Sequence, residues 1–274
     1  MFISPMLLQK IDRPFNDPSW ISELKLDGIR CLISKFDSKV SIYSRHNNEI
    51  SSMFPELTDL PIPAGTILDG ELIVSNDQGK PDFEAVMERF KSRKSLHDIS
   101  YCVFDILYFK GKKVTSLPLL ERKQILSEII PEDTKLLTKV NWIEGNGEAF
   151  FDLIKQQDLE GIVLKKSDSK YQIDKRSYDW LKVINYKYGQ VYISGIRKNA
   201  FGLLLNFENG QYAGILEFMK PAARKEFYKV YRDLITGEND KFIYLDPKLR
   251  IKIKYRNLTK NGLLRIPSFV DWAV

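Results

Sequence analysis

Two cysteines and two histidines in 274 residues leave little material for metal or disulfide chemistry. Cys31 and Cys102 fall in apolar, strand-like surroundings, and with His46 and His97 they lack the spacing of a structural zinc site. A disulfide framework is excluded on the same ground, and the expected setting is reducing and cytoplasmic. No run of 18 apolar residues is present, so no membrane-spanning helix is expected. The opening MFISPMLLQKIDRP lacks the basic start and long apolar stretch of a secretory signal. His46 and His97 offer neither a Ser/His/Asp set nor a metal pair. No internal repeat or low-complexity tract breaks the chain.

What is present is ordinary core-forming material, with 43% hydrophobic and 28% charged residues, which excludes disorder as the dominant state. The net charge is +6, and it is unevenly placed. Residues 185–274 hold 16 basic and 8 acidic side chains, whereas the remainder is slightly acidic. A basic last third fits a polyanionic partner, nucleic acid before membrane, or a basic soluble domain with no such partner.

Apolar or alternating runs predict strands at 29–34, 40–43, 66–74, 101–108, 161–165 and 180–184. Helical spacing predicts helices at 82–95 with Asp82 as N-cap, at 118–129 after Pro118, and at 147–157. The character changes near Asn185. Strands are expected at 190–197, 201–207, 211–218, 241–245 and 248–255, with a helix at 221–235 opened by Pro221. Five short strands and one helix suit a small closed barrel such as an OB-fold, although spacing alone does not separate it from an SH3-like barrel. The expected class is α+β, with domains at 1–184 and 185–274.

Six short segments carry candidate chemistry. They are Lys25-Leu26-Asp27-Gly28-Ile29-Arg30 preceded by Glu23, Ser44-Arg45, Leu68-Asp69-Gly70-Glu71, Val103-Phe104-Asp105-Ile106-Leu107, Glu160 to Lys165, and Trp180-Leu181-Lys182. Singly, each has a plain structural reading. Phe104 could be core, Glu71 and Glu160 surface charges, and Lys182 an edge lysine that discourages pairing.

In this order the segments resemble motifs I, Ia, III, IIIa, IV and V of the covalent nucleotidyltransferases, most closely the ATP-dependent DNA ligases. The resemblance spans residues 4–270 and is closest to small stand-alone bacterial or prophage ligases. It implies an ATP-grasp-like nucleotidyltransferase (adenylation) domain followed by an OB-fold DNA-binding domain. It implies ATP and Mg²⁺ or Mn²⁺ as cofactors, nicked duplex DNA as partner, and a monomer. Lys25 resembles the nucleophile that takes AMP. Lys165 and Lys182 resemble the lysines that bind the α-phosphate and keep Lys25 neutral. Glu23 matches the residue that reads the adenine amino group, and Phe104 the ring that stacks on adenine. Glu71 and Glu160 match residues that place the metal and the ribose. Arg30 and Arg45 match those holding the ribose and the DNA 5′-phosphate.

Lysine chemistry supports this set independently. An amine attacks only when neutral, and burial beside other cations favours that form. Mg²⁺ takes one or two carboxylates plus phosphate oxygens, and a guanidinium fork suits phosphate.

The sequence departs from the family pattern in two places. Ile184 stands where motif V usually has a second lysine, and a shift to Lys187 would change the strand face. No R-x-D-K motif follows Leu264-Arg265-Ile266-Pro267-Ser268-Phe269. Slow self-adenylylation is one expected consequence. Because Lys25 lies so close to the start, a minimal enzyme without the helical N-terminal domain of larger ligases is expected. The competing readings are an RNA ligase or capping enzyme, and a non-catalytic nick-binding protein.

Overall fold

The computed structural model describes residues 1–36 and 39–273. They fall into two compact units, Met1–Asn185 and Tyr186–Val274.

The first unit holds two mixed sheets. One runs, edge to edge, Leu7–Lys10, Arg176–Ile184, Gly161–Lys166, Trp20–Leu24 and Trp142–Glu144. Its first pair is parallel and the others antiparallel. The other runs Lys39–Ser44, Ile29–Phe36, Thr66–Ile73 and Ser100–Phe109, with Lys112–Lys113 and Leu137–Lys139 both on the last strand. The sheets face each other across a core to which one gives Ile21 and Trp180 and the other Leu32, Ile67 and Leu107. Their outer faces carry helices. Phe151 and Ile154 of Gly147–Gln156 pack on Ile162, Leu164 and Val183. Val86 of Phe83–Lys91 and Leu126 of Leu119–Ile129 join the core under Cys31, Ile33, Leu68 and Val103.

Strand alternation explains the site's position. In Gly161–Lys166, Ile162 and Leu164 face the helix, which leaves Val163 and Lys165 to face the other sheet. Asp82 caps the first helix by accepting from the Ala85 amide at 2.9 Å. That helix ends at Lys91, earlier than its apolar spacing suggested.

In the second unit the antiparallel order is Tyr212–Leu216, Leu203–Asn206, Lys187–Arg197, Phe242–Tyr255 and Ile235–Glu238, with Ser268–Trp272 also on Phe242–Tyr255. A bridge between Phe218 and Ser268 links the segment after Tyr212–Leu216 to the start of Ser268–Trp272. Ile193, Leu205, Ile251 and the helix residue Phe227 form its core.

Two expectations are corrected here. The helix expected over 221–235 is α-helical to Val230 and tightens to a 3-10 helix over Tyr231–Leu234, and it goes no further because Ile235–Glu238 is taken by sheet pairing, Ile235 opposite Leu245 and Glu238 opposite Ile243. The strands expected at 241–245 and 248–255 are one strand, Phe242–Tyr255. Pro247, between the two expected strands, sits at a register shift between the Gly195–Tyr244 and Ile193–Leu249 pairs, where its missing N–H costs no ladder bond. Among the described residues, no helix is long and apolar enough to cross a membrane.

Candidate active site

Lys25 lies in the link from Trp20–Leu24 in one sheet to Ile29–Phe36 in the other. Its amide donates to the Gly161 carbonyl at 2.9 Å, and its Nζ pairs with Glu160 Oε2 at 2.8 Å. Adjacent residues of one segment therefore hold both ends of Lys25. Both glycines of these motifs are required by close approach. A Cβ on Gly28 would lie 2.1 Å from the Leu72 carbonyl oxygen, and one on Gly161 would lie 2.1 Å from that of Val183.

Lys25 opens onto a cavity of about 190 Å³ in the first unit. Glu23, Arg30, Arg45, Glu71, Phe104, Lys165 and Lys182 also line it. The structure thus brings eight of the nine sequence-predicted site residues to one cavity, and the ninth, Glu160, to the Lys25 ammonium. Strand register accounts for the rows. Glu23, Val163 and Lys182 lie opposite one another across three strands, and Lys165 pairs with Trp180. Arg30 lies opposite Glu71 in the facing sheet.

Six cations line the cavity (Lys25, Arg30, Arg45, Lys165, Arg176 and Lys182) against the carboxylates of Glu23 and Glu71. Arg30 grips buried Asp69 with two bonds, of 3.0 and 2.6 Å, and the Tyr171 hydroxyl donates to the same carboxylate at 2.6 Å. Burial opposes the Arg30 charge, but Asp69 outweighs it and the guanidinium stays protonated. Burial, followed by Lys25, Arg176 and Arg45, pulls Lys182 below the usual lysine range. Burial lowers Lys165 to about 8, against the pull of Glu23. Its ammonium sits 4.5 Å from the Phe104 ring centre and 4.1 Å from that of Trp180. Burial raises Glu71 to about 7, although Lys25 and Arg30 oppose this.

Sequence reasoning missed four contributors. Arg176 lies on the strand of Lys182, six residues earlier, and even spacing was the available signal. Asp69 stands within the quoted Leu68–Glu71 segment, but its bond to Arg30 is tertiary, and Tyr171 carried no signal. Lys123 is buried with its ammonium against Glu23 Oε1, and with Arg122 it lies between Leu119 and Leu126 on the buried helix face. Two basic residues inside an apolar stripe were a legible anomaly. The lysine proposed as a substitute in motif V, Lys187, starts a strand of the second unit, and Ile184 is buried.

Among the described residues, no three His, Cys, Asp or Glu side chains gather as a metal cage. Glu71 and Glu160 fit a hard divalent cation only together with phosphate oxygens from a nucleotide, which is the usual manner of Mg²⁺.

A cavity with so many cations and an aromatic face is built for a phosphorylated ligand carrying a flat base. Comparisons with known proteins agree. Residues 5–183 match the family described as ATP dependent DNA ligase domain. The SPbeta prophage-derived DNA ligase-like protein LigB of Bacillus subtilis (strain 168) is 50% identical over 274 residues, all of both chains. The bifunctional non-homologous end joining protein LigD of the same organism is 28% identical over 93% of this chain and 47% of its own, so the chain spans about half of that protein. A solved mycobacterial DNA ligase D, complexed with ATP and MES, superposes with a TM-score of 0.64 at 25% identity, covering 99% of this chain and 95% of that one. With a family match over most of its length and a full-length relative at that identity, the chain belongs to the ATP-dependent DNA ligases.

Proposed function

We propose that the chain seals nicks in duplex DNA in three phosphoryl-transfer steps, each depending on this cavity. In the first, Lys25 Nζ attacks the α-phosphate of ATP, a lysyl–AMP bond forms and pyrophosphate leaves. In the second, the AMP passes to a DNA 5′-phosphate and Lys25 is regenerated. In the third, the 3′-hydroxyl attacks that activated phosphate and AMP is expelled. The observation that carries this reading is the convergence of six separate sequence segments on one cavity around Lys25.

The geometry suggests how each residue serves. Glu160 Oε2, 2.8 Å from Lys25 Nζ, is within reach to accept the ammonium proton before attack. Lys182, with Arg45 and Arg176 beside it, meets the charge that grows on the transferring phosphoryl group. Phe104 offers a face to the adenine, and Glu23 an acceptor to its amino group. Arg30, fixed by Asp69, and Arg45 hold the ribose and the DNA 5′-phosphate. Glu71 and Glu160 would hold a divalent cation against the nucleotide phosphates, where it would neutralise phosphate charge. The second unit is read as an OB-fold that grips DNA. Its basic excess supports this, as does the strand pairing that returns from Phe218 to Ser268.

The test is incubation with α-labelled ATP, or GTP in parallel, plus Mg²⁺ or Mn²⁺. Label from ATP alone is expected on the wild-type protein and is absent in Lys25→Ala. Label from GTP would move the reading to capping. Binding of a nicked duplex with no label from either nucleotide would leave a non-catalytic nick binder.

A further inference from the structure

Glu23 has more positive charge around it than its own neutralisation needs. Its carboxylate is 2% exposed. Oε2 lies 2.7 Å from Lys165 Nζ, and Oε1 meets Lys123 Nζ. Glu23 lies on a strand of the first sheet, whereas Lys123 comes from the helix Leu119–Ile129, itself 7% exposed at that residue. Burying a second ammonium costs desolvation energy even when it is paired. One lysine would balance the charge, but one contact leaves a carboxylate free to rotate. Two ammonium groups, one on each oxygen, fix the plane of the carboxylate. Each oxygen keeps further lone-pair capacity for another donor.

We propose that Lys123 is a positioning residue for nucleotide recognition: it clamps Glu23 between itself and Lys165, so that the carboxylate is aimed at an amino group on the base. The inference rests on the reading that this cavity takes ATP. The clamp is acceptor-only towards the ligand, so it favours a base that presents an amino group and opposes one that presents a carbonyl oxygen there. Lys123 does not line the cavity; its ion pair is with Glu23, and its charge also reaches Lys165 and Asp105. The groups around the clamp are Glu23, Lys165, Asp105 and the rings of Phe104 and Trp180.

The experiment is equilibrium titration of ATP and of GTP without divalent metal, so that no chemistry follows binding. The proteins are wild type, Lys123→Met, Lys123→Arg, Glu23→Gln and the Lys123→Met/Glu23→Gln double variant. Lys123→Met is expected to weaken ATP binding about tenfold, the size of one well-placed polar contact, with GTP binding little changed. Lys123→Arg restores most of the loss. The double variant binds ATP no worse than Glu23→Gln alone, because both changes act on one group. If Lys123→Met fails to fold, Lys123→Gln carries the same comparison.

The proposal is overturned if Lys123→Met binds ATP like wild type, if ATP and GTP weaken equally, or if the losses add in the double variant. Wild-type protein that binds ATP but takes no label with metal would sink the self-adenylylation reading and leave the clamp standing. Wild-type protein that binds no ATP would sink both.

Discussion

Glu71 illustrates how a site residue is set by its surroundings. Burial raises its carboxyl from the usual 4.5 to about 7, while Lys25 and Arg30 pull the other way and Asp69 and Asp27 add to the rise. Between those two values the folded protein holds a proton that the unfolded chain has released. The stability contributed by this group is therefore full below about pH 4.5 and is lost as the pH rises through 7. Glu71→Gln, which cannot ionise, is expected to gain stability relative to wild type across that window. Urea denaturation of both proteins at several values between pH 4.5 and 7.5 reads the difference, and parallel curves would refute the assignment. The identity of Glu71 was legible from Leu68-Asp69-Gly70-Glu71. Its protonation was not, because it depends on burial in the packed fold, against the pull of Lys25 and Arg30 from another segment.

At the scale of elements, the helix Leu119–Ile129 is held by an ion pair as well as by its apolar face. Arg122 is fully buried, as is Asp105, and Nε and Nη2 meet the two carboxylate oxygens at 2.8 and 2.9 Å. Arg122 also donates to the Ser169 carbonyl at 2.9 Å. Burial opposes ionisation of Asp105, but the Arg122 guanidinium outweighs it and keeps the carboxyl below its usual range. Removing one partner strands the other charge in the core. Arg122→Ala is expected to cost roughly 3–5 kcal/mol of first-unit stability, read as a lowered urea midpoint. The Phe104-Asp105 strand and the Lys123 helix register both depend on this contact, so labelling of Lys25 should fall with it. Helix periodicity gave the element and its Pro118 start, but the stripe containing Arg122 needed a partner 17 residues away to make sense.

On the whole chain, the excess of positive over negative charge falls in residues 185–274. In the strand Phe242–Tyr255, Ile251 and Ile253 are buried, and Lys252 and Lys254 alternate with them towards the opposite face. If that face meets phosphates, affinity for a nicked duplex falls steeply between 50 and 200 mM salt. Replacing both lysines with alanine then lowers the slope of log K against log salt by up to about 2. Fluorescence anisotropy at four salt concentrations measures both slopes. An unchanged slope would take these lysines out of the interface.

Composition and local pattern by themselves determined the class of the protein. Scarce cysteine and histidine excluded zinc and disulfide scaffolds, alternation marked most strands, and six ordered segments, through their resemblance to a known family, named the residues to expect together. Short strands such as Leu7–Lys10 and Trp142–Glu144 were too brief to show a period, and exist because a longer neighbour offers an edge. Only the tertiary structure decided what each charge faces. Glu160 is placed on Lys25, Asp69 on Arg30, and Lys123 on Glu23. These partners lie 135, 39 and 100 positions apart in sequence. Electrostatic contacts act over a few ångströms of space, and the sheet register and helix packing that bring such distant residues together are invisible to any local window.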